Sequence, residues 1–223
     1  MSVAGDLLLL AVGSRARYTT RGPVRLPVAA ACLVDDVLSG GRLPAEEVTG
    51  LARVVERRAP AAFEVTAAGL VAGGVLEPHR HLVLGLVPRH GHVVTDSRRR
   101  RAAEERLLRA LAPAGPGGSR PAPADAALAA LASVAGLSRR VVDLPDQRAR
   151  RALATHLNSL PAAMGPDATR VVLALRRALG RLGGDDAGVP VLVPAEDRDG
   201  FGDRGGAGDG SGDGDGGDGG GGD

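Results

Sequence analysis

The sequence predicts a mainly α-helical protein: a single helical domain over residues 1–182 with one β-hairpin, then a disordered, acidic Gly/Asp-rich tail over 183–223. Three observations predict this. Apolar residues recur at three- and four-residue spacing through most of the first 182 positions, the pattern of helices that bury one face. The stretch from His81 to Val94 breaks that period with β-formers around turn residues. Beyond Gly183 apolar residues become scarce and, from Gly200, glycine and aspartate alternate, a composition that cannot bury a core.

Asp6 opens an all-apolar run, Leu7 to Val12, that fits a helix turn or a strand equally and reads as core. It has no basic leader and is too short to span a bilayer or to serve as a signal peptide. Residues 13–27 read as a loop in which Arg15, Arg17, Arg21 and Arg25 crowd around Tyr18, Thr19 and Thr20. From Pro27 to Leu38, the positions Val28, Ala31, Cys32, Val34, Val37 and Leu38 give one apolar helix face, started by proline and stopped by Ser39, Gly40 and Gly41. Cys32, the only cysteine, excludes an intramolecular disulfide and reads as a small core residue in a reducing cytoplasm.

Pro44 opens a second helix with Glu46 and Glu47 in its first turn and Arg57 and Arg58 in its last, as the helix dipole favours, and Pro60 is expected to end it. A third runs from Glu64 to Val75 on an apolar face of Val65, Ala68, Leu70, Val71 and Val75, closing at Gly73 and Gly74. The hairpin follows: His81 to Val87 as first strand, Pro88 to Gly91 as turn, His92 to Val94 as return. Thr95, Asp96 and Ser97 are all good N-cap residues for a basic helix from Arg98 to Leu111. A Pro/Gly/Ala connector over 112–124 leads to an alanine-rich helix from Asp125 to Leu137 and two more, Asp146 to Leu160 and Asp167 to Leu182. The last turns Val171, Val172, Leu175 and Leu179 inward and Arg170, Arg176, Arg177 and Arg181 outward.

The net charge of +2 conceals a split. Residues 183–223 hold eleven acids against Arg198 and Arg204, a balance of −9, which leaves +11 on residues 1–182. A basic body implies an anionic partner, nucleic acid or lipid headgroup. Aromatics are limited to Tyr18, Phe63 and Phe201, so stacking platforms for single-stranded bases are lacking, which weighs against nucleic acid. No nucleophile elbow, phosphate-cradling glycine loop or paired-carboxylate motif points to an enzyme or a cofactor. Asp209, Asp213 and Asp215 lack the closing glutamate of a calcium-binding EF-hand loop.

His79 and His81 lie two apart on one strand side of the hairpin, and His90 and His92 two apart on the other. Four imidazoles could converge on zinc, or stand at the hairpin's rim and gain charge in mild acid against anionic lipid; the rim is the simpler reading. Arg98, Arg99, Arg100 and Arg101 sweep round a helix N-terminus, where they oppose the macrodipole, so an anionic partner at that end would relieve the conflict.

The ordered set of Asp6 to Leu10, Tyr18-Thr19-Thr20, Ala31 to Leu43, Gly69 to Leu76, His81 to Val87 and Val94-Thr95-Asp96 resembles the Golgi phosphoprotein 3 family in an actinobacterial form. The resemblance spans most of residues 6–182. It implies a largely helical, non-enzymatic, cytoplasmic domain that associates peripherally with membrane, reads phosphatidylinositol 4-phosphate, dips its hairpin into the bilayer and engages protein cargo. The family's headgroup pocket uses a tryptophan after the Tyr-Thr pair and arginines on the two helices before the hairpin. This sequence has no tryptophan and places small residues there, leaving Arg21, Arg25, Arg57 and Arg58 as the headgroup candidates. Leu82, Val83, Leu84, Leu86 and Val87 are the candidate inserting residues, and Arg98 to Arg101 the candidate basic face. The rival expectation is a winged-helix-like DNA-binding protein with the hairpin as its wing. A wing that meets phosphate should be polar, and this one is apolar.

Overall fold

A computed structural model of the protein describes residues 2–12, 24–43, 48–83, 87–112, 120–141 and 147–182. The expected tail, most of the Arg/Tyr/Thr loop and most of the 112–124 connector fall outside the described residues. In chain order the elements are α1 (Val3–Ala11), α2 (Arg25–Leu38), α3 (Val48–Ala72), β1 (Leu76–Val83), β2 (Val87–Val94), α4 (Ser97–Leu111), α5 (Pro123–Val134), α6 (Ser138–Val141), α7 (Gln147–Ser159), α8 (Pro161–Met164) and α9 (Pro166–Leu182). The protein is therefore mainly helical with one two-stranded antiparallel hairpin, as the sequence predicts.

The apolar run at the start is a helix, and every residue of α1 is buried. The N–H groups of its first turn are satisfied in two ways. Ser2 Oγ accepts from Gly5 N–H, and the carboxylate of Asp35, from α2, accepts from Val3 N–H at 2.8 Å and Ala4 N–H at 3.0 Å. A carboxylate across a positive helix end is a stabilising arrangement supplied here by a different helix. The second central element is α5, whose residues 126–134 are all buried. It touches α1, α2, α4, α6, α8 and α9, and its alanines allow that close approach from many sides.

Asp6 is the one charged residue of α1 and is only 2 % exposed. It is neutralised by Arg106 of α4, whose Nη1 donates to Asp6 Oδ2 at 2.5 Å while Nε donates to Asp125 in the first turn of α5. Burial pulls the Arg106 guanidinium down, but its bonds to Asp125 and Asp6 outweigh this and hold it above the ordinary arginine value. One cation thus joins three helices. His156 of α7 adds a further tie, its Nε2–H donating to the Ala110 carbonyl in the last turn of α4 at 2.8 Å.

Two expectations about the middle of the chain are overturned. Pro60 does not end a helix: α3 runs unbroken from Val48 through Pro60 to Ala72. The proline removes one ladder bond, yet it is exposed, so the defect faces the solvent side. Leu51, Ala52, Val55, Ala59, Phe63 and Ala67 stay on one buried stripe only if the helix continues. The expected apolar face of the C-terminal half holds at Val75, which is buried, but not throughout. Val65 is 73 % exposed and Ala68 is exposed, whereas Phe63 and Ala67 are buried and Leu70 and Val71 half-buried.

The predicted stops hold. α2 and α3 both end in a glycine with positive φ, Gly40 at 88° and Gly74 at 68°. Gly41 N–H then bonds Asp36 O at 2.8 Å and Val75 N–H bonds Leu70 O at 2.9 Å, the six-to-one closure of a Schellman turn. The Gly40-Gly41 pair is required twice over. Gly40 needs its φ, and a Cβ on Gly41 would lie 2.7 Å from Asp36 O.

Candidate functional site

The hairpin is fastened at its base. Val75 and Leu76 are buried, Leu76 pairs with Val94, Thr95 Oγ1 donates to Gly74 O at 2.9 Å, and Thr95 N–H donates to Val75 O at 3.0 Å. From that anchor the register rises through Glu77–Val93, Pro78–His92, His79–Gly91, Arg80–His90, His81–Arg89 and Leu82–Pro88 to Val83–Val87. The turn therefore falls between Val83 and Val87, not at Pro88 to Gly91 as expected. A two-residue rise per side-chain period lets no strand slip without moving Leu76 and Val94 to the wrong face, so the buried base overrides the local turn chemistry.

This shift changes the meaning of the apolar run. Its residues do not line one strand; Leu82, Val83 and Val87 occupy the last rungs of the ribbon on either side of the turn. Leu84 and Leu86 lie outside the described residues. The register also separates the histidine pairs. Positions 79 and 81 face 91 and 89 across the ladder, positions 90 and 92 face 80 and 78, and the two sets alternate in facing. The four imidazoles therefore do not converge, and no group of metal-ligating side chains is found among the described residues. Nor is His92 at an exposed rim: it is half-buried, with its ring edge-on to Phe63 at 6.4 Å. Burial there holds the His92 imidazole below its usual range, against an opposing pull from Glu64.

The headgroup candidates are placed in different surroundings. Arg25, exposed at the start of α2, carries its guanidinium over the other ring in this corner, with Cζ 5.7 Å from the Phe63 centroid. Arg57 and Arg58 are adjacent and exposed on α3. Arg58 shares with Arg42 the wall of an open cleft of about 630 Å³, completed by Leu33, Asp36, Ser39, Gly41 and Leu43. That cleft lies at the C-terminal end of α2 and Arg25 at its N-terminal end, roughly 20 Å apart along a helix of this length. Arg21 lies outside the described residues.

On α4, Asp96 is the N-cap, its Oδ1 accepting from Arg98 N–H at 3.0 Å and Arg99 N–H at 3.1 Å. The dipole conflict read from the sequence is thus eased by the chain itself. Arg98, Arg99 and Arg101 are exposed, and Arg100 pairs with Glu104 at 2.9 Å. These arginines start four residues beyond the base of the ribbon, whose eight-residue strands put the tip on the order of 25 Å away. Cys32 is half-buried and bridges α2 to α3: its Sγ lies 3.6 Å from Thr66 Oγ1, whose hydroxyl is also 2.7 Å from Ala62 O. Burial raises that thiol's pKa, with the Thr66 contact pulling the other way and Asp35 and Asp36 adding to the rise.

Two basic residues closer to the apolar tip than any of the candidates are Arg80 and Arg89. Their signal is in the sequence: each sits two positions outside the run from Leu82 to Val87, so closing the hairpin brings them to neighbouring rungs. No helix among the described residues is long and apolar enough to cross a membrane. In comparisons with known proteins, no curated protein matches this chain. A family model described as Golgi phosphoprotein 3 (GPP34) matches residues 41–176, which takes in α3, the hairpin, α4 to α8 and most of α9. With that match covering more than half of its length, the chain belongs to the Golgi phosphoprotein 3 family.

Proposed function

We propose that this protein is a peripheral membrane protein that binds anionic lipid, of the phosphatidylinositol 4-phosphate class by family likeness, and seats the tip of its hairpin in the bilayer interface. The observation that carries the reading is the register: it gathers Leu82, Val83 and Val87 at the end of a ribbon that is fastened to the body at its base. Burying those side chains with Leu84 and Leu86 contributes several kcal/mol at about 25 cal/mol per Å² of apolar surface. Each basic residue near the lipid surface adds on the order of 1 kcal/mol. Arg21, Arg25, Arg57 and Arg58 are the candidates for headgroup contact, joined by Arg42 beside Arg58 in the cleft, and Arg98 to Arg101 supply attraction from farther away.

Flotation with vesicles of neutral phosphatidylcholine, with and without anionic lipid, tests this. The expected result is recovery with anionic vesicles that falls at least tenfold in a Leu84→Asp, Leu86→Asp variant. Equal recovery from neutral and anionic vesicles removes the electrostatic part, and recovery from neither removes the whole. A shift of duplex DNA at low salt in the absence of any vesicle binding would favour the winged-helix reading instead.

A further inference from the structure

The cleft at the C-terminal end of α2 brings together groups that the body leaves unused. Its wall is made by Asp36, Ser39, Arg42 and Arg58, and its apolar part by Leu33 and Leu43. None of these four polar side chains makes a hydrogen bond or an ion pair to another of the described residues. We propose that this cleft binds a phosphorylated polyol, with the phosphate at Arg42 and Arg58 and ring hydroxyls at Asp36 and Ser39. The inference deepens the lipid reading, from which it takes these two arginines as phosphate contacts.

The mixture of groups selects the ligand. At about 630 Å³ the cleft is within the range of small-molecule sites, about 300–1,000 Å³. Guanidiniums match phosphate oxygens in charge and in the fork of their donors. A bare phosphate would also meet a like charge in Asp36. An ionised carboxylate only accepts hydrogen bonds, so a ligand that carries hydroxyl donors beside its phosphate turns that conflict into a contact. A nucleotide base finds no stacking partner, since no described residue of the lining is aromatic.

The backbone prepares the place. Gly40 at a φ of 88° and the Gly41 N–H bond to Asp36 O fold the chain back, so that Arg42 returns to the last turn of α2. The same turn occupies carbonyls that would otherwise turn the negative end of the helix toward a phosphate: Ser39 N–H bonds Asp35 O at 3.0 Å and Gly40 N–H bonds Val37 O at 3.0 Å. Arg58 comes from the neighbouring helix, α3, and Leu33 is fixed in the core while Asp36, Arg42 and Arg58 reach water.

Isothermal titration calorimetry of the full chain with glycerophosphoinositol 4-phosphate, inorganic phosphate and myo-inositol tests the cleft. The expected result is one saturable site for the first, with a Kd below about 1 mM, and binding at least tenfold weaker for either half alone. Arg42→Gln with Arg58→Gln should weaken the phosphorylated polyol by about tenfold or more. Asp36→Asn should weaken it about tenfold yet leave inorganic phosphate as tight or tighter, a divergence that general attraction to a basic surface does not produce.

Flotation then separates the two sources of such a ligand. If Asp36→Asn lowers recovery with phosphatidylinositol 4-phosphate vesicles and not with phosphatidylglycerol vesicles matched in charge, the polyol is a lipid headgroup. If it lowers neither while the soluble probe still depends on Asp36, the ligand is a free phosphorylated polyol. No saturable binding of the soluble probe up to about 10 mM, or binding that Asp36→Asn does not weaken, overturns the cleft, and anionic vesicles that still bind then leave the membrane reading standing. Binding of the probe without recovery from any vesicle overturns the membrane reading and leaves the cleft.

Discussion

Arg106 shows how much one side chain can hold in this protein. Its two bonds reach carboxylates on two other helices, and Asp6 sits almost fully out of water with Arg106 only 13 % exposed over it. Arg106→Ala therefore leaves a buried carboxylate without its cation, the situation in which breaking a buried pair costs about 3–5 kcal/mol. Urea unfolding followed by circular dichroism should show a loss of roughly 3 kcal/mol or more, and Asp6→Asn added to Arg106→Ala should recover part of it. A loss below about 1 kcal/mol would place the triad among exposed bridges of little worth. The partnership was half legible: a lone aspartate heading an all-apolar run demands a cation, but which of 28 arginines supplies it depends on α1, α4 and α5 packing together. Asp35 is a similar case, since its role as cap to α1 joins residues more than thirty positions apart.

Helix ends are the most local features of the chain, and their glycines marked them correctly at Gly40 and Gly74, each with positive φ, whereas the alanine-rich helix, expected to run to Leu137, stops at Val134 ahead of Gly136, whose φ is positive too. Where a local preference met a tertiary demand, the tertiary demand prevailed. Pro60 inside α3 carries a penalty of about 3 kcal/mol relative to alanine, partly offset by the lower entropy of the unfolded chain. Pro60→Ala is accordingly expected to stabilise the protein by roughly 1–2 kcal/mol, seen as a higher urea midpoint with an unchanged slope. Destabilisation would mean that α3 needs a kink at this point. The hairpin taught the same lesson. Pro88 to Gly91 has the residues of a turn, yet the buried base at Leu76 and the bonds of Thr95 set the register from the other end, and counting rungs upward moves the turn past Val83. Periodicity alone also mistook the face of α3, because Val65 and Ala68 share a spacing with the buried stripe while lying beside it.

At the scale of the whole molecule, two groups of arginines stand at different distances from the membrane proposed here. Arg80 and Arg89 lie within roughly 10 Å of the last rung of the ribbon, and Arg98, Arg99 and Arg101 on the order of 25 Å away from it. Salt distinguishes them, since the screening length is about 30 Å at 0.01 M and about 10 Å at 0.1 M. In a Arg98→Gln, Arg99→Gln, Arg101→Gln variant, binding to anionic vesicles should drop several-fold at 0.01 M salt and hardly at all at 0.1 M. Arg100 is spared because Glu104 already neutralises it. Arg80→Gln with Arg89→Gln should weaken binding at both concentrations, because charges on rungs this near a tip seated in the interface act at a range shorter than either screening length. If instead the α4 variant loses binding equally at both salt concentrations, the ribbon lies flat enough for α4 to touch the lipid. The contact surface would then extend from the hairpin tip along the ribbon to the N-terminus of α4.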